Sequence, residues 1–519
     1  MINFGQKILN ALWHNSGFQA DAIKRWQPLY TRLFASRWTI IVLIMLGIAR
    51  ALFFLQAYAP ADGADASDYY AYAAYVNGID LPSRVANLSP LYPYFVYVNH
   101  YIFGNFDLII FWQIIMSASL GLLYYLGLRR YHALWAVLVA LMVIGDAQTG
   151  VSFNFASTEP LYVFLLACVY SLTLIQHQSI AKNALQLRDV LLGVMLVLLR
   201  ETRTVARYAF VPVWILFALA TQNWKRTFII ALTFVVTTVF FDISTQVAQV
   251  AQESSYNDSM LLRPLLNYDL LDSEAGEASA DLEIAVNICL NDDTFTRLFA
   301  CLEDYYDDID GAQDVINRAY VESVSERPFV IYQRMFEELT DFLLLSGQQV
   351  RGTPTPADVQ CEDIPARVER QVQKMIAFDW DGIDLTDNQI EAYTFVVTDF
   401  ANQMCPPART NVTIHDITDT IAFRYRSLSR PHPFRWYFAL ITLVLLVPWA
   451  RKLWLPVFLA GGLLAYHAAI SAALFNVQPR YVMVTNPFKG ILLLAVVLII
   501  GYIMLKILDV WLSQSDRDG

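Results

Sequence analysis

Long apolar runs and short polar turns alternate over the first half of the 519-residue chain, give way to a polar stretch, and return near the end. Runs close to the ~20 residues that cross a bilayer recur. They predict ten helical spans, roughly at 38–58, 107–127, 133–148, 159–177, 188–200, 207–221, 227–247, 436–450, 453–475 and 488–510. The predicted class is an α-helical polytopic membrane protein. Residues 1–37 form an amphipathic N-terminal segment, 38–247 and 433–512 the two parts of the membrane domain, and 513–519 a short tail. The N-terminus lacks a short apolar core with a small-residue cleavage site, so no removable signal peptide is expected. Residues 248–432 read as a mainly helical soluble domain. Within it "RPFVIYQRMFEELTDFLLL" is amphipathic and suited to a membrane surface, while "RGTPTPAD" and "CPPART" read as loops.

Two of the runs are short. From Asp189 to Arg200 a helix would rise only about 18 Å, well under the ~30 Å hydrocarbon core. "RETRTVAR" follows, then a second short run, "YAFVPVWILFALA". Arginines in that turn are costly against lipid, which points to a water-filled cavity; snorkelling to headgroups is the plainer alternative.

Charge divides the chain. Between 248 and 432, 33 acidic residues stand against 13 basic ones, a balance of −20, which leaves +9 for the remainder of a chain whose net charge is −11. Lys7, Lys24, Arg25, Arg32 and Arg37 precede the first run, so the positive-inside rule predicts N-in and C-in, with Arg129, Arg130, Lys182, Arg188, Lys225, Arg226, Arg451 and Lys452 on the inner side. The 59–106 loop, the acidic domain and the "NVQPRYVMVTNP" loop then fall outside. No basic stripe suggests nucleic-acid binding. Cys289, Cys301, Cys361 and Cys405 all lie in the acidic domain, an even set that fits two disulfides in an oxidising compartment, with the pairing open; four reduced thiols are the alternative.

The outer side gathers candidate chemistry: Asp65 and Asp68 in the first loop, Glu159 in the second, Arg200, Arg203 and Arg207 in the third, Arg480 in the last, and His467 near the outer end of the ninth span. A carboxylate can take a proton from an acceptor hydroxyl, and arginines can hold a phosphate through paired hydrogen bonds. Each residue also has a plain reading. Asp65 and Asp68 fit solvated loop acids, and Arg480 fits a loop anchor. "STEP" fits a helix start, with Ser157 or Thr158 as cap and Glu159 facing the helix dipole. His467 fits a satisfied core histidine.

"DASDYYAYAAYVNG" resembles the start of the first outer loop in GT-C fold glycosyltransferases, the bacterial relatives of protein mannosyltransferases and aminoarabinose transferases. Asp65, Tyr69, Ala73 and Gly78 carry the match, and Asp68 falls off it. "SPLYPYFVYVNHYIFG" is similar to the run that follows in the family, through Pro90, Leu91, Tyr92, Pro93, Phe103 and Gly104. "LLGVMLVLLRETR" is similar to the family's fifth span, "RYVMVTNP" to its late Arg-Tyr and Pro, and "ERPFVIYQRMF" to its juxtamembrane helix. The resemblance covers roughly 40–210 and 430–500; the acidic insert departs from relatives whose soluble domain is C-terminal.

The resemblance implies a GT-C-like bundle in a bacterial plasma membrane. It implies inverting transfer of a sugar from a polyprenyl-phosphate donor to an extracytoplasmic lipid, glycan or protein, among membrane lipids. It makes Asp65 the base, with Asp68 assisting, and Arg480, Arg200, Arg203, Arg207 and Tyr481 the holders of the donor phosphate. Glu159, His467 and Tyr69 would support the site, and a divalent cation would sit on Asp65, Asp68 and Glu159. A transporter with a large outer domain is the rival class; the inverted repeat expected of one is not visible.

Overall fold

A computed structural model describes residues 33–57, 61–62, 66–78, 89–153, 155–177, 187–203, 206, 208–248, 262, 265–266, 271, 275–289, 298, 301–302, 305–306, 309–330, 333–334, 336–337, 365–366, 368–369, 372, 386–404, 453–473 and 484–518. These residues fold almost wholly as helices. In chain order they are α1 (Arg37–Ala57), α2 (Ala66–Val76), α3 (Leu91–Tyr97), α4 (Asp107–Leu128), α5 (Ala133–Gly145), α6 (Ala147–Ser152), α7 (Thr158–His177), α8 (Leu187–Arg200), α9 (Phe210–Thr221), α10 (Trp224–Ala248), α11 (Glu277–Cys289), α12 (Ile309–Glu326), α13 (Asp387–Met404), α14 (Trp454–Ala473) and α15 (Asn486–Asp518). A π-helical turn, Val98–Ile102, continues α3. Two short strands, β1 (Ala61–Asp62) and β2 (Phe155–Ala156), pair in parallel.

Six of these helices are long and apolar enough to cross a membrane: Arg37–Leu55, Leu108–Leu128, Thr158–His177, Trp224–Asp242, Trp454–Ser471 and Asn486–Leu505. Their apolar side chains are exposed where no other helix covers them, as at Trp38, Met45 and Leu52 on α1 and Val235, Val236 and Phe240 on α10. Such bands suit lipid contact, and the chain is a helical integral membrane protein. Three of the expected spans are shorter than the hydrocarbon core. α5, α8 and α9 have 13, 14 and 12 residues. The stretch 436–450 lies outside the described residues, as do residues 1–32.

The bundle is built around α7 and α4. α4 packs on α1, α5 and α7, while α7 also meets α8, α9 and α14. Burial follows: 83% of the α7 window is inside the protein, against 17% for α10, so α7 is central and α10 peripheral. α1 lies close on α4 because Gly47 has no side chain; a Cβ there would sit 2.1 Å from the Ala118 carbonyl oxygen. Gly78, just after α2, and Gly104, just after the π-helical turn, have φ of +86° and +67°, a region that L side chains rarely adopt. Both are residues on which the family resemblance rests.

The acidic stretch contributes a second, smaller core. α11 and α12 pack through Leu282, Ala285, Val286, Val315, Ile316 and Ala319. Cys289 and Cys301 are disulfide-bonded beside it. This selects one pairing from those the sequence leaves open; Cys361 and Cys405 lie outside the described residues. Alkylation of denatured, unreduced protein should leave Cys289 and Cys301 unmodified and label them after reduction, read by peptide mass spectrometry. Labelling of both before reduction would contradict the bridge.

Part of the expected amphipathic segment after α12 is described, and the rest of it lies outside the described residues. Residues 328–330, 333–334 and 336–337 are helical, and Phe329 and Phe336 are exposed.

Candidate functional site

The first loop is helical where a plain connection needs no helix, and it is tied to two later turns. After α1 in sequence comes β1, which pairs Ala61 with Phe155 and Asp62 with Ala156 of β2, just before α7 begins. The Leu91 amide donates to the Glu201 carbonyl at 3.0 Å, joining the start of α3 to the turn after α8. The three segments therefore share one end of the bundle. Tyrosines fill the space between them. Tyr69 and Tyr92 meet edge to face at 5.0 Å, and the Tyr69 hydroxyl reaches Thr158 Oγ1 at 3.5 Å.

Glu159 and Arg203 are brought together at this end. Arg203 Nη1 donates to Glu159 Oε1 at 2.9 Å, and each side chain is 9% exposed. Glu159 occupies the first turn of α7, as the "STEP" pattern predicts, but the helix dipole is not its whole partner. Arg200 is more open. It bonds Glu201 Oε1 at 2.7 Å and lies 3.5 Å from Asp242 Oδ1 on α10, whose side chain is half-exposed. Arg200 and Arg203, two of the three arginines expected in this turn, are thus each set against carboxylates. A phosphate arriving here would exchange with a carboxylate, most readily at Arg200.

His467 sits in the interior of α14, buried. Its Nδ1 donates to the Leu463 carbonyl at 2.7 Å, since a carbonyl can only accept. That fixes Nε2 as the acceptor for the Tyr162 hydroxyl of α7. Both ring nitrogens are engaged, which fits the core-histidine reading and makes the pair a tie between α7 and α14. Tyr466, its neighbour, accepts from the Tyr208 amide at 3.0 Å and anchors the entry to α9.

Asp65, Arg207, Arg480 and Tyr481 lie outside the described residues. Asp68 stands in α2, its side chain outside the description. Among the described residues, no group of three or more His, Cys, Asp or Glu side chains is placed to share a metal ion. Glu159, one of the three expected cation ligands, is committed to Arg203.

Several charged residues here escape a sequence reading. Glu201 and Asp242 are the partners of Arg200. Arg50 is buried within α1, donating to the Ser117 carbonyl at 3.2 Å, to Ser117 Oγ at 2.8 Å and to the Asp146 carbonyl at 3.1 Å. Asp146 in turn accepts from Thr149 Oγ1 at 2.5 Å, at the start of α6. An arginine inside an apolar run is itself the signal that points to such a cluster. At the opposite end of the bundle Arg226 of α10 clamps Asp189 of α8, with Nη2 2.7 Å from Oδ1 and Nε 3.1 Å from both carboxylate oxygens, and reaches Gln176 Oε1 at 2.8 Å.

Comparison of the chain with known protein families gives no match, and comparison with curated proteins gives none.

Proposed function

We propose that this membrane protein is a glycosyltransferase that moves a sugar from a polyprenyl-phosphate donor to an acceptor outside the cytoplasm. One observation carries the reading: the first-loop helices, Glu159, Arg200 and Arg203 meet at one end of the bundle, and that end is where a base and phosphate-holding arginines are needed. The resemblance of "DASDYYAYAAYVNG" and "SPLYPYFVYVNHYIFG" to the GT-C first loop supports it. On this reading the acidic domain and the first loop are extracytoplasmic, both termini are inside, and ten spans form a GT-C-like bundle in a bacterial plasma membrane.

The proposed chemistry is a single inverting displacement. The acceptor hydroxyl or amine attacks the anomeric carbon and gives its proton to Asp65, with Asp68 assisting. The bond from that carbon to the donor phosphate breaks, and the electron pair leaves with the polyprenyl phosphate. Arg480 and Tyr481, helped by Arg200, Arg203 and Arg207, hold the growing negative charge; fixed donors at that position lower the barrier without reorganising. Glu159 keeps Arg203 in place, and the Tyr162–His467 tie holds the α7 and α14 walls.

Arg480→Ala tests the donor side. Loss of a charge-assisted contact costs about 1.5–3 kcal/mol, or roughly 10- to 150-fold in affinity. Donor binding by the purified variant should fall by that factor, while Arg84→Ala, in the first loop, should bind as the wild type does. Equal affinity of Arg480→Ala and wild type would refute the phosphate role.

A further inference from the structure

α13 belongs to the acidic stretch, yet its Val397 is buried in the same apolar core as the membrane helices, and the helix packs on α2. One charged contact crosses this junction. His100, on the π-helical turn after α3, faces Asp399 of α13, with Nδ1 3.7 Å from Oδ2. The imidazole is held from its own side of the junction: it stacks on Phe106 at 4.0 Å and meets Tyr101 edge-on at 4.5 Å. Its side chain is 9% exposed and that of Asp399 is 34% exposed, so the pair closes the rim of the contact. Among the described residues, His100 Nδ1 has no hydrogen-bond partner.

We propose that His100 and Asp399 form an acid-strengthened latch that ties α13 of the acidic domain onto the first-loop helices.

A neutral imidazole 3.7 Å from a carboxylate gains little, whereas an imidazolium at that place gains an ion pair and carries an N–H on Nδ1 whichever tautomer the neutral ring adopts. The sign follows from what each side of the junction brings. Burial, the larger effect, holds His100 below the ordinary histidine range, and the Asp399 carboxylate offsets part of it. Phe106 and Tyr101 bury the ring from its own side, so the stack stays in place when α13 lifts away. The carboxylate leaves with α13. His100 therefore holds its proton more tightly with α13 docked, and docking gains free energy as pH falls. The gain lies on the acid side of the ordinary value of about 6.5 and is lost as pH rises through the docked value. Among the described residues, the other titratable group seen against the His100 ring is Tyr101, which burial pushes up to about 12, so it stays neutral throughout; Phe106 adds no charge.

Hydrogen exchange of the whole protein in lipid nanodiscs reads the latch without reference to sugar transfer, so it fails or stands apart from the proposed function. Amide protection across α13, corrected for intrinsic exchange, should rise roughly two- to fivefold from about pH 7.5 to about pH 5, the scale of a partly exposed ion pair. α12 should show no such change. His100→Gln and Asp399→Asn should each flatten the α13 response. Asp399 lies on the open side of the pair, so Asp399→Asn keeps the test alive if His100→Gln unfolds. A flat response in the wild type, protection that falls with acid, or an undiminished response in Asp399→Asn would overturn the latch.

Discussion

Asp65→Asn is expected to lower sugar transfer by ~100- to 10,000-fold, the range typical of a lost general base, while leaving the amount of folded protein in the membrane unchanged. Asp65 lies four residues before Tyr69 and thirteen before Gly78. Both of those positions have physical duties: Tyr69 is buried against Tyr92 and Thr158, and Gly78 ends the α2 segment at positive φ. In sequence Asp65 stands three residues after β1 and one residue ahead of α2, whose end of the bundle also holds Glu159 and Arg203. Asparagine keeps the shape and removes the proton acceptor. Asp68→Asn should cost less, since Asp68 stands off the family register. Transfer by purified protein checks both. If Asp65→Asn works at the wild-type rate and Asp68→Asn is dead, the two roles exchange; if both are fully active, the loop is not the site of a base.

The second large effect concerns stability, at the other end of the bundle. Asp189→Ala should destabilise the fold by about 3–5 kcal/mol, because it strands the Arg226 guanidinium in the interior. The Asp189 side chain is fully buried and that of Arg226 3% exposed, so no water replaces the lost partner. Arg226 is fixed by Asp189 and Gln176 together, and it also lies over the Phe217 ring at 5.6 Å. Replacing both members by apolar residues of similar size should recover most of the loss, since the cost lies in the unpaired charge rather than in the missing pair. Thermal unfolding in detergent of the single and double variants checks this. Equal stability of Asp189→Ala and wild type would mean that the pair is open to water.

Local patterns carried the helical membrane class, the α7 start at "STEP" and the helices of the described parts of the acidic stretch. Apolar run length and capping residues are properties of neighbours in sequence. The pairings were not legible, because they join residues far apart. Arg203 finds Glu159 across 44 residues, Arg226 finds Asp189 across 37, and Tyr162 finds His467 across 305. In the sequence, Arg200 and Arg203 look like free phosphate ligands; the partners that offset them sit on α7, on α10 and next door at Glu201. Arg50 shows the opposite failure. Its charge interrupts an apolar run, a visible signal, but its carbonyl partners on α4 and at Asp146 are backbone atoms that no residue pattern marks. The short α5, α8 and α9 follow from the same limit. Run length sets what a segment can span alone, while neighbours decide where its helix stops.

The proposed function is tested most directly by the lipid that the protein holds. Wild-type protein and Arg480→Ala, extracted with their surrounding membrane in nanodiscs, would be compared by mass spectrometry of bound lipids. The expected result is a polyprenyl-phosphate sugar enriched with the wild type and lost from Arg480→Ala. Folded wild-type protein that carries no polyprenyl-phosphate species, or carries the same amount as Arg480→Ala, would contradict it.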